Sequence, residues 1–432
     1  MKALILNGAK ALREMAVAVD EALAAELATR GYDVARHDLA ALDIPPCKGD
    51  FGCWTVTPGI CVQLGPHRDV ARDLIQSDLV VWLTPVTFGG YSSALKRQLD
   101  HCVPLISPRF AKVNGETHHE PRYERFPSVL AVGLTEEPDE GAAHIFHRLV
   151  RRNVLNMYAP HFASPVLSRS GLPDLSGRVT LWLDELAASR PPHGAVEPLD
   201  LDARADLPTS APRRALLLVG SPRGTGSASA GLATHLEGLL ARQGLEVSTQ
   251  WIDKCLREDP ALRGLAAALS ATDVVVLATP LYVDSLPAPV TEALELLVRR
   301  PPGASSRPRF LAIVNSGFPE AVHTDTALAI CRRWADEAGL DWIGGLGIGG
   351  GGMLAGKPLA EMGGRAGAVA RALALSAEAI ACGRIIPDEA LKLARTLAIP
   401  AWLYRLFGDW GFRQEARSRG TSRTIGARPY AP

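Results

Sequence analysis

The chain lacks an excess of charge of either sign: Lys plus Arg number 46 and Asp plus Glu number 46 in 432 residues. A formal net charge of zero gives no global attraction for nucleic acid or for an anionic membrane surface, so neither is an expected partner. Long apolar runs are also missing, and no integral membrane segment is expected. The N-terminus enters a strand-like run at once, Ala3-Leu-Ile-Leu6, without the layout of a secretory signal. Cysteine is sparse, odd in number at seven, and scattered. That pattern opposes a disulfide framework and favours the reducing cytoplasm. What remains is ordinary for a globular protein, 47% hydrophobic and 21% charged, and long enough for two or three domains.

What is present is a repeat. Met1-Lys-Ala-Leu-Ile-Leu-Asn-Gly8 and Ala215-Leu-Leu-Leu-Val-Gly220 each open a half, and each leads through a helical pattern to a glycine. Pairing Gly31 with Gly244 gives an offset of 213 (244 − 31). Ser77-Asp78 pairs with Thr272-Asp273 at 195 (273 − 78), and Leu130-Ala-Val132 with Leu311-Ala-Ile313 at 181 (311 − 130). The falling offsets locate two insertions in the first half. One, of 18 residues, contains Cys47, Cys53 and Cys61; the other, of 14, falls around 101–126 and contains His118 and His119. Alternating strands and helices predict parallel sheets covered on both faces, and right-handed crossovers make them doubly wound. The expected division is a first domain over 1–188, a linker over 189–212, a second domain over 213–384 and a C-terminal helical extension over 385–432. The linker is rich in Pro and Ala without apolar periodicity. The extension carries Trp402, Tyr404, Phe407, Trp410 and Phe412, followed by arginines, and reads as an element packing its aromatics on the body. An amphipathic membrane-surface contact is the alternative.

The stretch around which the second half is organised follows the apolar run Arg214–Val219. It reads Gly220-Ser-Pro-Arg-Gly-Thr-Gly-Ser-Ala-Ser229 and precedes Leu232, Leu236, Leu239 and Leu240 at helical spacing. Strand, Gly/Ser/Thr loop and helix make a phosphate cradle: glycines admit the anion, hydroxyls donate, and the helix start adds N–H groups and a positive dipole end. Ser221, Arg223, Thr225, Ser227 and Ser229 are the expected phosphate holders. Ligands of doubly wound sheets sit beyond the carboxyl ends of the strands. Two further loops fall there, Thr279, Pro280, Leu281, Tyr282 and Val283, and Asn315, Ser316, Gly317 and Phe318. A phosphate on the first loop and a flat ring between the other two describe a mononucleotide such as FMN. A dinucleotide frame wants Gly-x-Gly-x-x-Gly, and here its third glycine is Ser229, although Asp253 could mimic the ribose-binding acid. A P-loop is excluded, because no Lys-Ser/Thr follows the glycines. The first half's equivalent, Asn7-Gly-Ala-Lys-Ala-Leu-Arg13, has lost the hydroxyls; Lys10 and Arg13 remain, and a degenerate site is expected. Its Thr135-Glu-Glu-Pro-Asp139 loop is acidic, while Thr84 to Lys96, with Phe88, Gly89, Gly90 and Tyr91, is well formed.

Gly-Ser-Pro-Arg-x-x-x-Ser after a strand (Gly220 to Ser227) and Thr279-Pro-x-Tyr282 before a helix resemble the NADPH-dependent FMN reductase and flavodoxin-like flavoprotein family. The first half resembles it too, through Pro46 to Cys61, Ser77-Asp78 and Thr84 to Asp100. The resemblance covers most of 1–185 and 213–380. It implies two flavodoxin-like α/β domains in tandem, FMN as cofactor, and NADH or NADPH as co-substrate. The implied reaction passes hydride through FMN to a small-molecule acceptor such as a quinone, a flavin or a nitro or azo compound. The flavin does that chemistry, so no catalytic residue is named. Family members are commonly homodimers with the flavin near the interface, so the tandem copy resembles such a dimer fused as an intrachain pseudo-dimer, with further homo-oligomerisation open. A non-enzymatic electron carrier or redox sensor, or a pseudo-enzyme scaffold, are the alternatives. Some members hold a four-iron cluster in the cysteine loop on four closely spaced cysteines. This loop offers three, and Cys102 lies 41 residues beyond Cys61, so semi-buried thiols and no metal are expected. His118 and His119 would point opposite ways on an extended segment, which opposes a shared metal and favours an interface loop. Gly344 to Met353 reads either as a turn beside the cofactor or as glycines allowing tight packing.

Overall fold

A computed structural model describes residues 1–191, 199–201, 211–298, 307–356 and 358–431. The linker expected over 189–212 lies largely outside the described residues. The chain divides into two compact units, Met1–Glu197 with Leu406–Pro432, and Pro198–Arg405.

In the first unit β1 (Lys2–Asn7), β3 (Leu79–Thr87) and β7 (Ser128–Thr135) are near-continuous apolar runs, and each is buried on both faces. That is the composition of central parallel strands. β2 (Asp33–Asp38) is half exposed and forms an edge. The sheet runs β2-β1-β3-β7, with the short β8 (Phe162–Ala163) and β9 (Val166–Ser168) parallel to β7. β4 (Gly90–Tyr91) folds back antiparallel on the end of β3. β5 (Ile106–Val113) and β6 (Glu116–Pro121) form a separate antiparallel hairpin, the larger part of the second insertion. In the second unit β10 (Arg214–Val219), β11 (Glu246–Trp251), β12 (Val274–Pro280), β13 (Arg309–Asn315) and β14 (Asp341–Ile348) form one parallel sheet ordered β11-β10-β12-β13-β14. Both sheets therefore have the flavodoxin-like order in which the second strand lies outside the first.

The repeat holds residue by residue. β2 and β11 start at Asp33 and Glu246, β3 and β12 pair Leu79 and Val274 with Ser128 and Arg309, and these positions keep the offsets 213, 195 and 181. The paired glycines stop the first helix of each unit. Gly31 (φ +82°) and Gly244 (φ +88°) take the left-handed conformation. Their N–H groups donate to Ala28 and Ala241, and those of Tyr32 and Leu245 to Leu27 and Leu240. This is a Schellman ending, which a residue with a Cβ makes only under strain. The paired aspartates tie down the first strands: Asp78 accepts from Lys2 N at 2.8 Å, and Asp273 from Arg213 N and Arg214 N, each at 2.9 Å.

The C-terminal extension splits its aromatics. Tyr404 is buried in the second unit, and Phe412 packs in the first, 5.1 Å from Trp54 and 5.8 Å from Phe51. Trp402, Phe407 and Trp410 stay exposed. Beyond the helix Ala401–Ser418, Arg122 donates to the carbonyls of Ile425 (3.1 Å) and Ala427 (2.7 Å), and Tyr430 N donates to the Tyr123 hydroxyl at 3.2 Å. Among the described residues no helix is long and apolar enough to cross a membrane.

Candidate functional site

Sheet register brings the candidate loops to one edge. Val219 pairs with Ala278, Pro280 with Asn315, and Asn315 with Ile348, so the segments that follow β10, β12, β13 and β14 leave side by side. Gly220 opens the first of them. A Cβ there would lie 2.6 Å from Val290 and 2.9 Å from the Thr279 hydroxyl, so the glycine lets the helix Ala288–Leu297 approach β10.

The rest of the loop has the build of an anion cradle. Ser227 caps the 15-residue helix Ala228–Arg242, accepting from Ala230 N at 3.2 Å. Gly224 (φ +72°) and Gly226 have open space where a Cβ would project. Arg223 and Thr225 are exposed, and Arg223 makes no ion pair among the described residues. Ser221 is buried, its Oγ accepting from Arg223 N at 3.4 Å. Helix N–H groups, an unpaired guanidinium and open glycines fit a phosphate. Ser229 is turned elsewhere: its buried hydroxyl donates to Asn315 Oδ1 at 2.7 Å and ties the first loop to the third.

Thr279 is buried and its hydroxyl donates to the Pro280 carbonyl at 3.2 Å, closing the strand end. Leu281 N donates to Asn315 O at 2.8 Å. Tyr282 and Ser285 exchange backbone hydrogen bonds of 2.9 and 3.1 Å across a two-residue turn. Its central residues, Val283 (φ +49°) and Asp284 (φ +53°), are both left-handed. Such turns favour Asn-Gly, and a β-branched residue there is strained by about 1–3 kcal/mol. The first unit repeats the turn with Phe88 (φ +54°) and Gly89 (φ +82°). The third loop is held by the glycine run. Ser316 N donates to Ile348 O, Gly351 N to Ser316 O and Gly350 N to Phe318 O, at 2.7–2.8 Å, and the Tyr404 hydroxyl donates to Gly317 O at 2.8 Å. A Cβ on Gly349 would collide with the Pro319 carbonyl, so close packing explains that glycine. Gly317 itself is exposed with open space above it.

A buried histidine stands behind this loop. The ring of His323 lies 4.6 Å from that of Phe318, with Nδ1 3.7 Å from Asp284 and Nε2 3.7 Å from Glu320. None of these three side chains is among the residues expected above to form the site. Their signal was Asp284 inside the second loop and a histidine five positions past Phe318.

The first unit's equivalent loop is a poor cradle. Arg13 is committed to Asp38, which holds the carboxyl of Asp38 below its usual range through that hydrogen bond. The helix begins at Arg13 without a side-chain cap, after Leu12 in the left-handed region (φ +53°). The 84–92 segment is tied to the end of β1, with Ser92 donating to Gly8 O at 2.7 Å. Its aromatics belong to the core: Phe88 is buried, and Tyr91 packs edge-on against Trp82 and Phe146 and donates to Asn153 at 3.0 Å. His118 and His119 do point opposite ways. His118 Nδ1 is 2.7 Å from Asn156 Oδ1, while the His119 ring lies against Trp54 (4.6 Å) and Phe110 (4.8 Å).

Comparison with known families finds that the profile described as NADPH-dependent FMN reductase matches residues 1–121 and again 213–328, together more than half of the chain. No curated protein matches the chain. Solved structures that resemble it include an azoreductase from Bacillus anthracis (12% identity, 42% of this chain and 99% of that one, TM-score 0.28). A putative quinone reductase from Klebsiella pneumoniae is 15% identical over 44% of this chain and 86% of its own, with TM-score 0.32. The NAD(P)H:acceptor oxidoreductase FerB from Paracoccus denitrificans is 16% identical over 48% and 98%, with TM-score 0.26.

Proposed function

Because the chain belongs to the NADPH-dependent FMN reductase family, and so is an NAD(P)H-dependent oxidoreductase that uses FMN, we propose that the flavin is held by the second unit. Ser221, Arg223, Thr225 and Ser227, with the N–H groups at the start of helix Ala228–Arg242, take the phosphate. Thr279 to Val283 and Asn315 to Phe318 flank the ring, and Ser229 acts by fixing Asn315. The observation that carries this reading is Arg223, which has no ion pair among the described residues and sits beside open glycines at a capped helix start, whereas Arg13 is committed to Asp38. The bound flavin supplies hydride transfer between the nicotinamide and an acceptor, a quinone, flavin, nitro or azo compound. The protein's task is to bind, orient and exclude water; His323, between Asp284 and Glu320, gives the ring loops a group able to hold a proton. Seven scattered thiols suit a reducing cytoplasm.

Titration of the purified protein with FMN, followed by flavin fluorescence, tests this. Arg223→Ala weakens binding by about tenfold or more, the loss of a charge-assisted phosphate contact, and Lys10→Ala leaves it unchanged. The reverse pattern moves the flavin to the first unit. NADPH or NADH then bleaches the loaded protein, and addition of each acceptor class in turn identifies which one restores the colour.

A further inference from the structure

The cysteine insertion of the first unit folds against the helix His67–Gln76 and the turn Asp100–Leu105, and this joins side chains that are far apart in sequence. Cys61 Sγ lies 3.4 Å from His101 Nδ1. The other nitrogen of His101, Nε2, is 2.7 Å from the Pro45 carbonyl. A carbonyl only accepts, so Nε2 carries the proton and Nδ1 presents a lone pair towards the thiol. The His67 ring stacks on that of His101, centroids 4.0 Å apart. His67 is fully buried, and neither of its ring nitrogens makes a well-formed hydrogen bond among the described residues, although the Gln63 backbone lies close enough to favour its protonated form. The ligand atoms of Cys61, His67 and His101 all lie within 4.8 Å of one another.

We propose that Cys61, His67 and His101 bind one zinc ion, which fastens the cysteine insertion to the body of the first unit. A thiolate and two imidazoles are a borderline-soft donor set suited to Zn²⁺. Two ligands on one tetrahedral zinc, with bonds of about 2.3 Å to sulfur and about 2.1 Å to nitrogen, stand ~3.5 Å apart. The 3.4 Å between Cys61 and His101 matches this. The Pro45 carbonyl fixes the tautomer of His101, as hydrogen bonds to the outer nitrogen of metal-bound histidines do. His67 offers a ring nitrogen within 4.8 Å of the other two ligand atoms, the third ligand of the same ion. Burial lowers the pKa of both histidines, that of His101 to about 4, which keeps them in the neutral form that ligates. Burial raises that of the Cys61 thiol. Binding therefore exchanges its S–H bond for a zinc–sulfur bond and releases one proton to solvent, with no change of oxidation state. The fourth position falls to water or to a neighbouring thiol; Cys47 feels the charge of Cys61, and Cys53 that of Cys47 and Cys61. Cys102 does not join them, since its thiol donates back to Gln98 O on its own turn at 3.7 Å.

The test is metal uptake by the full-length protein after chelator treatment, with Zn²⁺ measured by competition against a chromophoric chelator and Co²⁺ as a spectroscopic probe. One equivalent of Zn²⁺ per chain, a proton released on binding, and a thiolate-to-cobalt charge-transfer band are expected. Cys61→Ser abolishes the band, His67→Gln and His101→Gln each lower Zn²⁺ affinity at least about tenfold, and Cys382→Ser, at an exposed cysteine of the second unit, changes neither. If Cys61→Ser fails to fold, the wild-type cobalt spectrum and His67→Gln decide. Absence of stoichiometric uptake, equal affinity in the histidine variants, or purification with iron and sulfide instead overturns the proposal.

Discussion

Two glycines in the same loop serve different masters, and substitution separates them. Alanine at Gly220 meets Val290 and Thr279 at under 3 Å. Gly220→Ala is expected to cost about 1–3 kcal/mol, read as a lower Tm of the protein without FMN. Gly226 has an ordinary φ and open space around it. Gly226→Ala is expected to leave that Tm unchanged and to lower FMN affinity instead, because its methyl group would intrude on the proposed phosphate site. A loss of Tm in Gly226→Ala, with unchanged FMN affinity, would show that the loop is structural only. The hydroxyl residues divide similarly: Ser227 caps a helix, Ser221 braces Arg223, and Ser229 holds Asn315. From sequence these serines looked equivalent. Only their partners distinguish them.

The hairpin β5–β6, found among the described residues only in the first half, is a titrating element. His119 lies between Trp54 and Phe110, and burial lowers its pKa to about 3. The unfolded chain takes up that proton near pH 6.5, while the folded state refuses it until about pH 3. The contribution of His119 to stability is thus complete above pH 6.5 and declines as the pH falls from there towards 3. Urea unfolding at pH 7.5 and 5.0 is expected to show a smaller acid loss in His119→Gln than in the wild type. Equal losses would assign acid sensitivity to other groups. The elements common to both halves were legible in the sequence, since continuous apolar runs and helix-stopping glycines are local signals. The hairpin is an insertion whose placement depends on partners outside it: His119 packs on Trp54, and Phe110 of β5 lies 6.4 Å from Phe412, rings that come from remote parts of the chain.

At the scale of the whole chain, the polypeptide leaves the first unit, builds the second, and comes back to the first at Leu406. The last residues are therefore part of the first unit rather than an independent tail. Phe412→Ala should lower the melting transition of the first unit by the equivalent of about 1–3 kcal/mol, the value of a partly buried aromatic side chain. Truncation after Arg405 should lower it further, because Arg122 and Tyr123 lose their partners at Ile425, Ala427 and Tyr430. Hydrogen exchange should show the loss around residues 51–61 and 106–126, with the second unit unchanged. Uniform loosening of both units would contradict the assignment of 406–432 to the first.

Sequence alone determined the duplication and the class and strand composition of the two sheets. Each of these rests on short-range information: runs that cannot face water, glycines that permit left-handed turns, and capping hydroxyls before a helix. Tertiary structure decided which charges were still available. Arg13 and Arg223 look alike as residue types, yet one is neutralised by Asp38 from the neighbouring strand and the other makes no ion pair among the described residues. It also decided which distant side chains met. Asp284 reached His323 and Cys61 reached His101, across 39 and 40 positions of chain (323 − 284, 101 − 61). Spacing in sequence records no such meeting, because packing between elements, rather than the order of residues within them, sets those distances.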